Sequence, residues 1–258
     1  MTKERFKTVW ISDAHLGSKM TRTQDLLDFL YFFETENLFL VGDIIDIWAL
    51  RSNWHWKQRH TNVIRRFLSF AKDGARVVFV PGNHDEAFRD YVGLEFGDIK
   101  IERECVYKTA DGKRLLMLHG DEFDAVIKRA KWVAVFGARV YESLLTVNRL
   151  YNLFRRLFGL GYWSLAGYLK RKTKDVVKVI SNYELALANA AKVKGYDGVV
   201  CGHVHHAEIR EIDGTMYYNC GDWVESCTAL VERFDGEMEI IDWTERAVDK
   251  EKELGEPA

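Results

Sequence analysis

Five times along this chain a short apolar run stops at a loop that carries Asp, Asn or His. Thr8–Ser12 runs into Asp13-Ala14-His15, Leu38–Val41 into Gly42-Asp43-Ile44-Ile45-Asp46, and Val77–Pro81 into Gly82-Asn83-His84-Asp85. Arg114–Leu118 runs into His119-Gly120-Asp121, and Gly198–Cys201 into Gly202-His203-Val204-His205. Apolar runs of this length, closed by polar punctuation, read as buried strands. Between the first three, Thr21–Thr35 and Lys57–Lys72 carry apolar residues at helical spacing: Leu26, Leu27, Leu30 and Phe33 in one, Val63, Ile64, Phe67 and Phe70 in the other. Strands alternating with helices predict a largely parallel sheet. Ligands of such open sheets gather outside the carboxyl ends of the strands. The polar loops all sit there.

The remaining chain adds hairpins and one long helical stretch. Asp111-Gly112, Asp213-Gly214 and Asp235-Gly236 each stand between strand-like runs, the strongest short hairpin signal. They predict a β-meander from Ala207 to Trp243. The expected whole is a mixed α/β sandwich forming a single domain over residues 1–244, with a helical insertion at about 122–195 and a charged tail at 245–258.

Composition narrows the class. With 47% hydrophobic and 29% charged residues, the chain is neither disordered nor fibrous. Its four cysteines form no C-x-x-C pair, and charged Met1–Lys7 leads directly into a strand. Both features point to a reduced, cytoplasmic setting. The longest charge-free run in the aromatic middle, Leu157–Leu169, has thirteen residues, short of the about 20 that a membrane span needs. A net charge of −2 speaks against nucleic acid as partner. Locally the balance fails: Ala125–Asp175 holds eleven basic residues against two acidic ones, together with Trp132, Phe136, Tyr141, Tyr151, Phe154, Phe158, Tyr162, Trp163 and Tyr168. Such a segment is either a helical subdomain with a solvated basic face or a surface for an anionic amphiphile or membrane.

The strand-end donors have the make-up of a two-metal site. Two divalent cations roughly 3.5–4 Å apart can clamp a phosphate and activate water between them. Asp13, His15, Asp43, Asn83, His119, His203 and His205 supply the donors for such a pair, and the glycines at 42, 82, 120 and 202 permit the tight turns that bring their loops together. Imidazole, carboxylate and amide donors without thiolate favour Mn, Fe or Zn. Taken singly, a D-x-H pair is more often a surface or capping feature, and Gly-Asp-x-x-Asp could simply start a helix. Five such motifs in order at five strand ends are a different matter. His55, His60 and His206 fall outside the pattern and read as ordinary polar or core histidines.

The order D-x-H, G-D-x-x-D, G-N-H-D, H-G-D and G-H-x-H resembles the calcineurin-like metallophosphoesterase superfamily. The resemblance implies an α/β/β/α sandwich with a dinuclear centre at its strand ends. It implies one metal on Asp13, His15, Asp43 and His205 and another on Asp43, Asn83, His119 and His203, with Asp43 bridging. His84 would meet the substrate phosphate as acid or charge stabiliser, oriented by Asp85. The phrases Ser12-Asp13-Ala14-His15-Leu16-Gly17, Gly42-Asp43-Ile44-Ile45-Asp46-Ile47-Trp48 and His119-Gly120-Asp121 further resemble the UDP-2,3-diacylglucosamine pyrophosphatase branch of lipid A synthesis. That likeness implies manganese, a phosphorylated lipid or nucleotide-sugar substrate split to UMP and a diacylglucosamine 1-phosphate, and peripheral contact with an anionic inner membrane on its cytoplasmic face. Arg171, Lys172 and Lys174 would then stand near the substrate phosphates.

One residue departs from the branch, which typically carries Arg where this chain has His84. A sugar phosphate or nucleotide leaves without protonation, so a fixed cation suffices there. An alkoxide gains from a general acid, a role suited to His. The departure leaves open a paralogous phosphoesterase acting on another lipid, nucleotide or nucleic-acid ester.

Overall fold

The structure, a computed structural model, describes residues 3–124 and 180–246. Its first half alternates β1 (Glu4–Ile11), α1 (Thr23–Phe32), β2 (Phe33–Val41), α2 (Ile47–Ser52), α3 (Gln58–Lys72) and β3 (Arg76–Val80). Four short strands follow: β4 (Glu95–Phe96), β5 (Ile99–Ile101), β6 (Cys105–Lys108) and β7 (Arg114–Met117). After the stretch outside the described residues come β8 (Gly198–Cys201), β9 (Glu208–Ile212), β10 (Thr215–Asn219), β11 (Thr228–Glu232) and β12 (Met238–Asp242). Among the described residues they make a seven-stranded sheet, ordered β12-β11-β1-β2-β3-β5-β4, and a five-stranded sheet, ordered β6-β7-β8-β10-β9.

The period of two along each strand decides what covers its faces. Leu38 and Leu40 of β2 and Val77 and Phe79 of β3 join one core with Leu26 and Leu30 of α1 and Val63, Phe67 and Phe70 of α3. Their neighbours Phe39, Val41, Val78 and Val80 point the other way and pack with Leu115 and Met117 of β7 and Val200 of β8. Trp10 anchors this layer between the sheets, stacked on Phe39 at 5.8 Å and edge-on to Tyr107 at 5.5 Å. Beyond the second sheet, Leu116 and Val199 are buried, as are Leu187, Ala188 and Ala191 of the helical stretch 180–193. The arrangement is the α/β/β/α sandwich that the motifs imply. Each large apolar side chain in these layers contributes roughly 1.5–3 kcal/mol on burial, which fixes the strand ends and therefore the loops that leave them.

Two expectations need correction. The first helix was expected to run through Thr35, but it stops at Phe32, and Phe33, Glu34 and Thr35 pair with Glu4, Arg5 and Phe6 of β1. Phe33 is apolar at the right helical phase, yet its ring packs on Phe6 and Phe70, which the extended backbone allows. The C-terminal strands do not form one meander. Asp213-Gly214, with both residues at positive φ, closes β9 on β10 in the five-stranded sheet, whereas Asp235-Gly236 closes β11 on β12 in the seven-stranded one. Asp111-Gly112 closes β6 on β7 as its turn chemistry predicts. Between β10 and β11 the chain crosses from sheet to sheet over the carboxyl ends, through Cys220–Cys227.

The chain divides into two compact units, residues 1–121 with 187–258, and residues 122–186. Most of the expected insertion at 122–195, Arg171, Lys172 and Lys174 within it, and most of the tail at 245–258 lie outside the described residues. No described helix is long and apolar enough to cross a membrane.

Candidate metal centre

All the strand-end donors lie within the first unit, and the loops that carry them are knitted together by main chain. Asp13 N–H donates to Gly42 C=O at 3.0 Å, His15 N–H to Asp43 C=O at 2.8 Å and Leu16 N–H to Ile44 C=O at 2.9 Å. Arg89 joins the third loop to the fourth, reaching Pro81 C=O at 3.1 Å and Asp121 Oδ1 at 2.7 Å through one nitrogen. Asp13, His15, Asp43, His203 and His205 all hold left-handed backbone, with φ of 50°, 46°, 54°, 72° and 53°. Such conformations cost of order 1–3 kcal/mol each and persist where surrounding contacts impose them.

Asp13 and Asp43 each divide their oxygens between the backbone and the site. Asp13 Oδ2 accepts the N–H of His203 at 2.9 Å, and Asp43 Oδ1 that of His84 at 2.7 Å. The other oxygens face imidazoles. Asp13 Oδ1 lies 3.2 Å from His205 Nε2 and 3.8 Å from His15 Nε2, while those two nitrogens are 3.3 Å apart. Asp43 Oδ2 sits among three rings, 3.3 Å from His119 Nε2, 3.9 Å from His15 Nε2 and 4.0 Å from His84 Nε2. Donor atoms about 3–3.5 Å apart are what one ion with bonds of roughly 2.0–2.2 Å requires. Asp13, His15 and His205 form one such group, and Asp43, His119 and His203 a second.

The donors are also unpartnered where a cation would need them. Among the described residues, Asp13 Oδ1, Asn83 Oδ1 and His119 Nε2 are buried and have no hydrogen-bond partner. Leaving a buried polar atom so costs about 1–3 kcal/mol. His119 Nδ1 lies 3.0 Å from Val41 C=O, which takes the Nδ1 proton and leaves the Nε2 lone pair facing inward. Gly82 and Gly202 keep this space open, since a Cβ at Gly82 would strike Asp43 Oδ1 and His119, and one at Gly202 would strike Asp13 Oδ2. Oxygen and imidazole donors without thiolate suit a divalent transition metal. The residues present fit such ions.

Electrostatics point the same way. Burial opposes charge on His15, yet Asp13 and Asp46 lift its imidazole to about 10. Burial likewise opposes charge on His119, which Asp43 lifts to about 10. Burial works to raise Asp13 and Asp43, but the imidazoles of His15 and His205 beside Asp13, and His119 beside Asp43, bring both carboxyls below their usual range. A cluster that attracts protons this strongly attracts any cation that can replace them.

Asp85 differs from expectation. It does not orient His84: its carboxylate accepts backbone N–H groups from Gly82 at 2.6 Å, Ile44 at 2.7 Å, Ile45 at 3.2 Å and Asp43 at 3.3 Å. It thereby ties the second loop to the third. Burial, then repulsion from Asp43, pushes its carboxyl up to about 6. The residue that holds His84 is Asp46, whose Oδ1 lies 3.0 Å from His84 Nδ1 while Oδ2 lies 3.5 Å from His15 Nδ1. Sequence reasoning had Asp46 only as the closing letter of G-D-x-x-D. Its three-residue step past Asp43 was the available signal. Asp222 was missed outright: it caps the β10–β11 crossing by accepting the N–H of Val224 at 2.7 Å, and the adjacent Trp223 N–H bonds Asp13 C=O at 3.1 Å.

The sequence model of the calcineurin-like phosphoesterases matches residues 6–207. Among curated relatives, the chain is 25% identical over 245 residues to the UDP-2,3-diacylglucosamine hydrolase of Neisseria meningitidis serogroup B, covering 90% of this chain and 95% of that one. It is 23% identical over 208 residues to the enzyme of the same name from Blochmanniella pennsylvanica, covering 79% and 81%. A hypothetical protein of Pyrococcus horikoshii, PH1004, shares the fold at a TM-score of 0.50 and 8% identity, over 96% of this chain and 94% of that one. With its strand-end carboxylates and imidazoles gathered into metal-competent groups, the chain belongs to the calcineurin-like phosphoesterases and is a hydrolase of phosphate ester bonds.

Proposed function

We propose that the chain hydrolyses the pyrophosphate of UDP-2,3-diacylglucosamine to UMP and 2,3-diacylglucosamine 1-phosphate. Asp13, His15, Asp43 and His205 would hold one divalent ion and Asp43, Asn83, His119 and His203 another, manganese being the first candidate. One observation carries the metal assignment: among the described residues, three buried donor atoms, Asp13 Oδ1, Asn83 Oδ1 and His119 Nε2, have no hydrogen-bond partner. The substrate reading is supported by the named relatives, which span most of this chain, and by the basic, aromatic composition of Ala125–Asp175. Arg171, Lys172 and Lys174 are its candidate phosphate contacts. A substrate that is half lipid and half nucleotide puts the reaction at the cytoplasmic face of a membrane.

When bound, a divalent pair neutralises phosphate oxygens and lowers the pKa of water. The chain's own residues do the rest. Asp43, with one oxygen fixed by the His84 N–H, offers Oδ2 at the centre of the imidazoles. His119, pinned through Nδ1, presents Nε2 in a fixed orientation. His84 stands at the edge of the cluster, a quarter exposed, where it can meet a phosphate oxygen and hold a proton on either ring nitrogen.

The His84–Asp46 contact favours a second reading. A histidine paired with a carboxylate is equipped to protonate an alkoxide leaving group, as a simple phosphomonoester or phosphodiester would need. Incubating the manganese-loaded protein with UDP-2,3-diacylglucosamine, bis-p-nitrophenyl phosphate and a DNA oligomer separates the two. Release of UMP in preference to the others supports the pyrophosphatase. Turnover of the simple esters alone would leave a phosphoesterase with another substrate.

A further inference from the structure

α2 is a helix that buries none of its side chains. It is capped by Asp46, whose Oδ1 accepts the Ala49 N–H at 2.8 Å, and it leans on the first loop through Leu50, which occupies the space where Gly17 lacks a Cβ. The bridge between Leu16 and Ile45 holds the two loops side by side. Ordering six residues with no buried side chain is unfavourable on its own.

What this edge displays is selective. Trp54 is 75% exposed, Met20 66% and Trp48 45%. The next tryptophan, Trp56, is by contrast tied down, its Nε1–H donating to Thr61 Oγ1 at 2.9 Å. Arg51, Lys57 and Arg59, close to Trp48 and Trp54 in sequence, are exposed, and no acidic residue occurs from Ile47 to Lys72. Trp48 lies against His84 with ring centroids 4.3 Å apart, so the edge adjoins the candidate site.

We propose that this edge, Met20, Trp48, Arg51, Trp54, Lys57 and Arg59, docks on an anionic membrane surface. Tryptophan seeks the boundary between headgroups and acyl chains, and each cation near an anionic leaflet adds attraction. In sequence these residues lie outside the basic stretch Ala125–Asp175. Exposed aromatics among cations could also serve a nucleic acid, but Met20 offers no flat face for a base and fits an acyl boundary. The choice of a membrane rests on the diacylated-substrate reading, since a lipid substrate must be collected from a bilayer.

The test is co-sedimentation of the full-length protein with vesicles of phosphatidylglycerol and phosphatidylcholine, with pure phosphatidylcholine as control. Wild type is expected to bind the anionic vesicles, less so as salt rises. Lys57→Glu with Arg59→Glu should weaken binding at least about tenfold. Trp54→Phe should reduce quenching of tryptophan fluorescence by lipids brominated in their acyl chains. Both variants should keep wild-type turnover of bis-p-nitrophenyl phosphate and an unchanged circular dichroism spectrum. No vesicle binding by wild type, or equal binding by the charge-reversal variant, overturns the proposal. So does an edge whose substitutions abolish binding of a single-stranded oligonucleotide and leave vesicle binding intact. Vesicle binding as expected, without hydrolysis of the diacylated sugar nucleotide, leaves the docking edge standing and removes the substrate reading instead.

Discussion

Asp46 Oδ1 lies 3.0 Å from His84 Nδ1 and also accepts the Ala49 N–H at 2.8 Å, so one oxygen both holds the ring and caps the helix behind it. Asp46→Asn separates the two roles, because an amide oxygen still caps while the negative charge is gone. Turnover is expected to fall roughly 10–100-fold, the range for loss of a partner that orients a site residue, with KM and metal content unchanged. Loss of metal together with turnover would show that Asp46 acts on His15 instead.

His84→Ala should keep both metal ions and lower turnover roughly 10²–10⁴-fold, as expected for a positioned acid. His84→Arg discriminates further. On a pyrophosphate substrate a fixed cation retains most of the rate. On a monoester the Arg variant should be as impaired as Ala.

Asp43→Ala is expected to be the most damaging ligand change, since Asp43 Oδ2 is shared by the three facing imidazoles. Elemental analysis after manganese reconstitution should fall from two ions per chain to one or none. Two ions retained would remove Asp43 from the bridging position.

Gly82→Ala would place a methyl group against Asp43 Oδ1 and His119. Metal content should fall while the near-ultraviolet circular dichroism of the metal-free protein stays as it is. Full metal loading would mean that the loop shifts to make room.

His15 and His119 are each raised from 6.5 to about 10. A raised pKa stabilises the folded state fully below the unfolded value and loses that effect as pH climbs through the folded one. The metal-free protein should therefore lose melting temperature between about pH 7 and 10. Asp85, raised to about 6, has finished its own change before that window opens. Manganese should flatten the profile, because ions replace the protons. A flat profile without metal would contradict the pairing of these rings with Asp13 and Asp43.

Much of the architecture was legible because the local and global signals coincide. Leu38 and Leu40 alternate with Phe39 and Val41, and the loop that follows must leave from a strand end. The partner of His84 was not legible. Asp85 is its neighbour in sequence, but left-handed backbone at Asp43 turns that loop so that Asp46 reaches the ring and Asp85 faces amides. The sheet crossing between β10 and β11 was equally hidden. Asp213-Gly214 and Asp235-Gly236 announce two hairpins in the same words, and nothing local says that they belong to different sheets.

The left-handed backbone at Asp13, His15, Asp43, His203 and His205 restricts what these positions can become. Asn, Asp and His are the non-glycine residues that most readily adopt that conformation. All three are metal ligands of the kind found here, so one requirement of the loop and one of the ion are met by the same short list. Glutamate at position 43 could still extend a carboxylate inward, yet its longer, unbranched stem offers the local hydrogen bonding of neither Asp nor Asn. A laboratory search for altered metal preference should therefore find its survivors among exchanges of Asp, Asn and His. Glutamate or cysteine, sound as ligands on paper, should be filtered out by the turn before any ion is offered.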